Sequence, residues 1–463
     1  MKRIYIRAGM SPFESFPAHK MLLNNSIGQN LGNFLYVYGI LRNIVEEDSI
    51  VTADYYKTNL SAADIDQINE TQDAFIIPLA DAFRPGFEKT LYDLTKIVKQ
   101  LKIPCYLIGV GLRAPYEPDF SNPFPFDDAV KALVSALLER SAMVGVRGDI
   151  TAEYLSHLGF REGTDHMAIG CPSMYTLGPS FTLRETNITP QSRVCISTSV
   201  TAPDNVLEFL FQKIPAEFQD WHFIPQVTPE LRLVYTGSPY KIKCNPAYPH
   251  RITDEAYASG GSQFFLNVPT WIEYMSTADL TIGSRLHGNV ASILGGTPSI
   301  IFPKDARVRE LSEYHDFTRF HADELNADTD IWKLIERADF NQPCRKQEAN
   351  FQRFLGFLDK NEISHIYKDG VPEQIPFLEQ MKEVKLQPPV KCFSQCSLEE
   401  MSTRFERFYP AYEKKLRNTA PPVKAKKSPD APKKETPAPA AQPQSTVSGA
   451  KKLARRILNK LGV

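Results

Sequence analysis

No apolar run in the 463-residue sequence approaches the roughly 18–20 residues that a membrane-spanning helix needs. The opening Met1-Lys2-Arg3-Ile4-Tyr5-Ile6 is basic but leads into no signal-type apolar stretch, so the chain is expected to stay in the cytoplasm. Cysteine is sparse and scattered: seven residues, at 105, 171, 195, 244, 344, 392 and 396, form no CxxC pair. The tightest spacing, Cys392 to Cys396, has no histidine near it. That excludes the usual zinc patterns and leaves buried, reduced thiols as the expectation. GxxxxGK[ST], HExxH and GxSxG are absent too, so P-loop, zincin and serine-hydrolase chemistry have no motif to rest on. Gly109-Val-Gly111 falls short of the GxGxxG dinucleotide fingerprint. An excess of one charge sign is also missing, with 53 Lys+Arg against 54 Asp+Glu. At 42% hydrophobic and 23% charged, the composition excludes collagen-like, mucin-like and wholly disordered chains.

The balanced charge hides an uneven distribution. Residues 420–463 carry ten Lys/Arg and two acidic residues, a net +8 that leaves −9 on residues 1–419. An acidic body with a basic tail is a poor nucleic-acid binder as a whole. Seven prolines lie between Pro421 and Pro443, among Ala, Lys, Thr and Gln and with no aromatic residue, which is linker composition. Beyond it, Leu453, Ala454, Ile457, Leu458 and Leu461 recur at helical spacing, flanked by Lys451, Lys452, Arg455, Arg456 and Lys460. This pattern predicts a basic amphipathic helix suited to an anionic membrane surface. Docking on a partner enzyme, packing on another subunit and a merely solvated basic tail are the competing readings.

The body reads as strands alternating with helices, the rhythm of a doubly wound sheet. Strands are predicted at 3–6, 75–78, 105–110 and 142–146, with helices at 29–44, 129–139 and 149–158. After a polar pause at 177–190 the rhythm restarts. Strands are predicted at 194–197, 221–225, 264–268, 279–282 and 299–302, and helices at 203–213, 270–277 and 286–294. Residues 228–262 fit no template. The prediction is an α/β chain with two Rossmann-like domains, 1–185 and 186–335. A helical extension at 336–418 follows and packs on the body. A linker at 419–449 and the basic helix at 450–463 complete it.

Chemistry concentrates where predicted strands end. Asp279-Leu-Thr-Ile-Gly-Ser-Arg285-Leu286-His287-Gly288 runs from a strand through a turn into a helix. Ligands of open α/β sheets sit outside the carboxyl ends of strands, and helix N-termini favour anions. Arg285 and His287 there would give a cation beside an acid/base, the alternative being a surface arginine and a helix-start histidine with its bonds satisfied. Val144-Gly-Val-Arg147-Gly-Asp149 has the same design. Matching strand ends of two domains can face each other, so that Arg147 and Arg285 grip one multiply charged ligand. The alternative for Arg147 is an ion pair with Asp149 or Glu153. Asn33, at the start of the first long helix, is placed to meet a sugar hydroxyl or to cap the helix. Arg113 follows another strand end. Cys171, in Gly170-Cys-Pro-Ser173, reads as buried rather than nucleophilic.

Gly283-Ser-Arg-Leu-His-Gly288, followed by a small-residue helix and Gly296-Thr-Pro298, resembles the signature of the polysaccharide pyruvyltransferase family. Val144–Arg147, Gly159, Gly170-Cys-Pro172 and Asn30–Asn33 are similar to further segments of that family, and the resemblance spans roughly residues 25–305. It implies two Rossmann-like halves in a GT-B-type arrangement. It also implies transfer from phosphoenolpyruvate, as co-substrate and without a further cofactor or metal, to two hydroxyls of a sugar. By the motif, Arg147, Arg285 and Leu286 would hold the donor and His287 would be the acid/base. Asn33 and Arg113 are the candidates for the acceptor side. The sequence departs from the family pattern at Pro78–Phe83, where an expected glycine-rich loop has no glycine. The implied partners are phosphoenolpyruvate and a sugar acceptor on a lipid-linked glycan, met at the inner face of the membrane through residues 450–463. A glycosyltransferase using a nucleotide sugar is the alternative on the same scaffold.

Overall fold

The computed structural model describes residues 2–419 apart from Lys241 and Ala327. The linker expected at 419–449 falls outside the described residues from residue 420 onward, and the helix expected at 450–463 falls outside them entirely. Six short strands build the first half: β1 (Arg3–Ile6), β2 (Ile50–Ala53), β3 (Ala74–Pro78), β4 (Cys105–Ile108), β5 (Val144–Val146) and β6 (His166–Ala168). The order β2-β1-β3-β4 is parallel throughout. The parallel pair β5-β6 continues it, where Gly109 N donates to Gly145 O (2.8 Å) and Arg147 N to Val110 O (2.9 Å). β3 and β4 are buried along their whole length. That is why Ala-Phe-Ile-Ile-Pro and Cys-Tyr-Leu-Ile read as unbroken apolar runs: central parallel strands are covered on both faces.

The second half contains β7 (Arg193–Ile196), β8 (Asp220–Phe223), β9 (Gln263–Phe264), β10 (Leu280–Gly283) and β11 (Ser299–Ile301). Its parallel sheet has the order β11-β10-β7-β8. β9 lies apart and pairs antiparallel with β12 (Val390–Lys391). Leaving β9 aside, each sheet runs second–first–third–fourth, so the two halves share one plan. This is the predicted α/β class, with two Rossmann-like sheets in a GT-B-type arrangement.

The helix Gly32–Ile44 joins the halves. Every residue in it except Asn33 is buried, as expected of a helix that is apolar on all sides. Tyr38 meets Phe377 edge-on at 4.7 Å between ring centroids. One continuous apolar core runs from Ile4 and Ile6 of β1 through Leu35 and Leu41 to Val194 and Ile282 of the second sheet. A second core, around Tyr5, Phe75 and Leu107, lies on the other face of the first sheet.

Several stretches depart from the sequence reading, among them 264–268, where the expected strand is cut to Gln263–Phe264 and a helix starts at Val268. Residues 228–262 are not all irregular, since helices Thr228–Thr236 and Glu255–Ala258 lie within them. The first starts with Pro229 in its opening turn and ends at Gly237 in the left-handed conformation (φ 72°), both ordinary helix punctuation. The helix expected at 203–213 is instead Asp204–Glu208, a π-turn Phe209–Lys213 and a further turn Ile214–Glu217. The wide turn puts Phe209, Leu210 and Ile214 together in the core.

Beyond β11 the chain returns to the first half. Helix Ala306–Tyr314 starts with Ala306 N donating to Ala114 O (3.2 Å). Helix Gln342–Lys360 follows, and its Gln347 Nε2 donates to Met174 O (2.9 Å) and Gly178 O (2.7 Å). The closing helix Leu398–Thr419 turns to the second half, where Arg404 Nη1 donates to Lys391 O (3.0 Å). Among the described residues no helix is long and apolar enough to cross a membrane.

Candidate active site

The carboxyl ends of both sheets open on one cleft, which holds two adjoining cavities of about 540 and 240 Å³. In each sheet the strand order reverses between the first and third strands, β1 and β3 in one and β7 and β10 in the other. Ligands of such folds bind at that reversal. The loops leaving those strands line the cleft: Arg7 and Asp81 from the first half, Ser199 and Arg285 from the second.

His287 stands in the second residue of helix Leu286–Leu294, partly exposed to both cavities. Its imidazole abuts Gly32 at the start of the helix joining the halves, and any side chain at residue 32 would overlap it. His287 Nε2 lies 3.6 Å from Cys171 Sγ. Burial, with the Arg147 and Arg307 charges beside it, pushes the imidazole well below the ordinary histidine range. The ring is therefore neutral at pH 7.

Arg147 is fully buried. Its Nε donates to Gly109 O (2.9 Å), while Nη1 and Nη2 have no hydrogen-bond partner among the described residues. Tyr36 donates its hydroxyl to Ile108 O, which lays its ring beneath the guanidinium at 5.1 Å from the centroid. Gly109 (φ 71°) makes room, since a Cβ there would strike the Tyr36 hydroxyl. The ion pairs with Asp149 or Glu153 that the sequence allowed do not form. Glu310 approaches from helix Ala306–Tyr314, but its carboxylate accepts from Thr151 N (2.9 Å) and Thr151 Oγ1 (2.8 Å). Burial pushes Glu310 up to about 8, so it does not cancel the Arg147 charge at neutral pH. Arg147 lines the smaller cavity with an unsatisfied fork.

Arg285 lines both cavities but is not free as expected. Its Nη1 and Nη2 donate to Glu230 Oε2 (3.1 Å) and Oε1 (2.8 Å). Glu230 is fully buried and also accepts from Gln226 N (2.6 Å), Val227 N (3.1 Å) and the Tyr248 hydroxyl. The pair shapes the cavity wall while contributing little net charge. Leu286 is buried at the mouth of the smaller cavity. Asn33 lines the larger one, although its side-chain amide donates to Ile27 O (3.3 Å) and Gly28 O (2.9 Å). Arg113 lines the smaller one, with Nη1 4.0 Å from Asp81 Oδ2. Cys171 is buried as expected.

The sequence reading missed Lys304 and Arg307, which lie just past β11 and line the smaller cavity. Arg307 Nη1 donates to Asp81 Oδ2 (3.1 Å), in the loop that departs from the family pattern. Lys304 Nζ donates to Thr201 Oγ1 (2.5 Å) and lies 3.7 Å from Asp305 Oδ2. Burial, against the pull of Asp305 and with Arg307 and Arg113 nearby, brings Lys304 down to about 8. The strand-end rule that picked out Arg285 would have found both had it been applied to β11. Glu230 was hidden in the segment read as irregular. Among the described residues no cluster of His, Cys, Asp and Glu is spaced to hold a metal ion.

No curated protein matches the chain. Several solved structures resemble it distantly. The UDP-GlcNAc 2-epimerase from Neisseria meningitidis bound to UDP-GlcNAc is 12% identical, with a TM-score of 0.39 over 78% of this chain and 100% of that one. The UDP-GlcNAc 2-epimerase from Methanocaldococcus jannaschii is 11% identical, with a TM-score of 0.38 over 77% and 99%. The glycosyltransferase SnogD from Streptomyces nogalater is 9% identical, with a TM-score of 0.31 over 78% and 98%. The family model described as polysaccharide pyruvyl transferase matches residues 30–305, more than half of the chain. The chain belongs to the polysaccharide pyruvyl transferase family and is a transferase.

Proposed function

We propose that the protein transfers the enolpyruvyl group of phosphoenolpyruvate onto two hydroxyls of one sugar in a surface glycan of bacterial type or its lipid-linked precursor. The products are a cyclic pyruvate ketal and phosphate. One observation carries the reading: the buried, unpartnered fork of Arg147 beside the neutral His287, in a small cavity rich in cations. A guanidinium with two free donors suits a carboxylate. The surrounding cations suit a ligand bearing several negative charges.

In this reading the donor's anionic groups offset the Arg147 and Arg307 charges that add to burial in keeping His287 neutral, and place negative charge beside the ring, so that the imidazole takes up a proton. It delivers that proton to the donor's methylene carbon, which leaves positive charge on the carbon bearing the phosphate. A sugar hydroxyl forms a C–O bond there and returns its proton to His287. The bond from that carbon to the phosphate oxygen breaks, with the electron pair leaving on phosphate. The second hydroxyl closes the ring, and its proton ends on the released phosphate. The larger cavity, with Asn33, Tyr56, Phe87 and Tyr240 on its walls, offers the hydrogen-bonding and aromatic surface that a sugar acceptor uses. The basic amphipathic pattern at 450–463 supports delivery to anionic lipid surfaces that carry the acceptor.

The test is incubation of the full chain with phosphoenolpyruvate or a panel of nucleotide sugars, together with lipid-linked and soluble acceptors. Mass spectrometry of the product follows. A mass gain matching a pyruvate ketal is expected; a gain of one hexose unit would replace this reading with glycosyl transfer.

A further inference from the structure

Arg285 is held at both ends by Glu230, so a donor with two anionic groups must find its second grip elsewhere. We propose that the donor lies lengthwise in the smaller cavity, its carboxylate on Arg147 and its phosphate on a separate site made by Lys304, Arg307 and Arg113. This inference rests on the reading of the donor as phosphoenolpyruvate.

The two ends of the cavity differ in kind. At one end a single planar fork offers Nη1 and Nη2 together, with Tyr36 closing the face below. That geometry matches a planar carboxylate that accepts two parallel hydrogen bonds. At the other end, where Lys304 and Arg113 but not Arg147 also line the cleft rim, three cations come from two sides: Lys304 from the loop after β11, Arg307 from the first turn of helix Ala306–Tyr314 and Arg113 from the loop after β4. Cations carried on three separate elements suit a tetrahedral phosphate better than a single planar carboxylate. Asp81 and Asp305 offset part of this charge through contacts of 3.1 Å to Arg307 and 3.7 Å to Lys304. Three cations against two carboxylates still leave a surplus at this end. Burial is the first cause of the lowered proton affinity of Lys304, and beside it stands this surplus of cations. A bound phosphate would relieve it. His287 feels both Arg147 and Arg307, so it stands within range of both ends, where the carbon atoms of the donor would lie. The phosphate end also has an exit: Arg113, Lys304 and Thr201 line a further open pocket of about 430 Å³ on the cleft rim.

Calorimetric titration of the full chain with phosphoenolpyruvate and, separately, with inorganic phosphate tests the assignment. Lys304→Met and Arg307→Gln are each expected to weaken both ligands about tenfold. Arg147→Met is expected to weaken phosphoenolpyruvate to a similar degree and to leave inorganic phosphate unchanged. Arg113→Gln, at a half-exposed position, should follow Lys304→Met in direction. Melting temperatures separate binding losses from misfolding. Phosphate affinity that falls with Arg147→Met but not with Arg113→Gln or Lys304→Met overturns the orientation. So does phosphoenolpyruvate affinity indifferent to both Lys304→Met and Arg113→Gln. A wild-type protein that binds phosphate through Lys304 and Arg113 but ignores phosphoenolpyruvate would leave the phosphate site standing and refute the functional reading instead.

Discussion

The two arginines singled out by the same motif logic have different physical fates. Arg147 carries a buried charge with nothing bonded to its fork, whereas Arg285 is bonded to a fully buried carboxylate. Arg147→Ala should therefore lower the melting temperature less than Arg285→Ala does, and reduce donor affinity by about 1.5–3 kcal/mol, the worth of a charge-assisted contact. Arg285→Ala should orphan Glu230 and destabilise the fold by about 3–5 kcal/mol, read as a drop in denaturation midpoint. Equal melting temperatures for the two variants would contradict this contrast. His287→Ala is expected to abolish transfer while the protein stays folded, because the ring reaches the cavities instead of filling the core. Near-wild-type turnover in that variant would remove His287 from the chemistry. The sequence exposed Arg147, Arg285 and His287 through their place after strands. It could not expose that a carboxylate 55 residues upstream of Arg285 neutralises it, because such pairing depends on tertiary contact alone.

Among the elements, helix Ala306–Tyr314 leaves the second sheet and docks on the first half through Ala306, Arg307 and, most deeply, the carboxyl group of Glu310. Glu310 Oε1 and Oε2 cap Thr151 at the start of helix Asp149–His157, directly after Arg147. Burial raises the Glu310 pKa to about 8, above its ordinary unfolded value near 4.5. The sign follows: this docking contributes its full stability below pH 4.5 and loses it as pH rises through 8. Glu310→Gln should flatten the fall in melting temperature between pH 5 and 9, and a fall as steep as in wild type would contradict the assignment. Elements with strong periodicity were legible in the sequence, such as β1 and helix Leu286–Leu294, whose bounds match the reading. β2 was not, because it is an edge strand with only Ala53 buried and so shows no alternation. The helix Thr228–Thr236 was missed although its Thr-Pro-Glu start is a capping signal, because its flanks are irregular.

At the scale of the molecule, residues 1–419 carry a net −9 and residues 420–463 a net +8. If residues 450–463 attract the protein to anionic lipid, deleting 420–463 should preserve turnover of a soluble acceptor analogue and abolish sedimentation with anionic liposomes at low salt. Full-length protein that ignores such liposomes would shift the tail's role to a protein partner. The body itself was legible as two α/β halves from its rhythm. Their union was not, because a buried wedge between sheets leaves no trace in local periodicity. That wedge, the helix Gly32–Ile44, has a consequence for how glycan reaches the chemistry. Jaws that share one continuous core cannot gape like a clamshell, because parting them would expose Leu35, Leu41 and Val194 to water at roughly 25 cal/mol for each Å² uncovered. Small-angle scattering should thus return the same radius of gyration with and without phosphoenolpyruvate. The acceptor must slide in edgewise, as a thread enters the eye of a needle, and the fixed width of that eye would then decide which glycans are decorated.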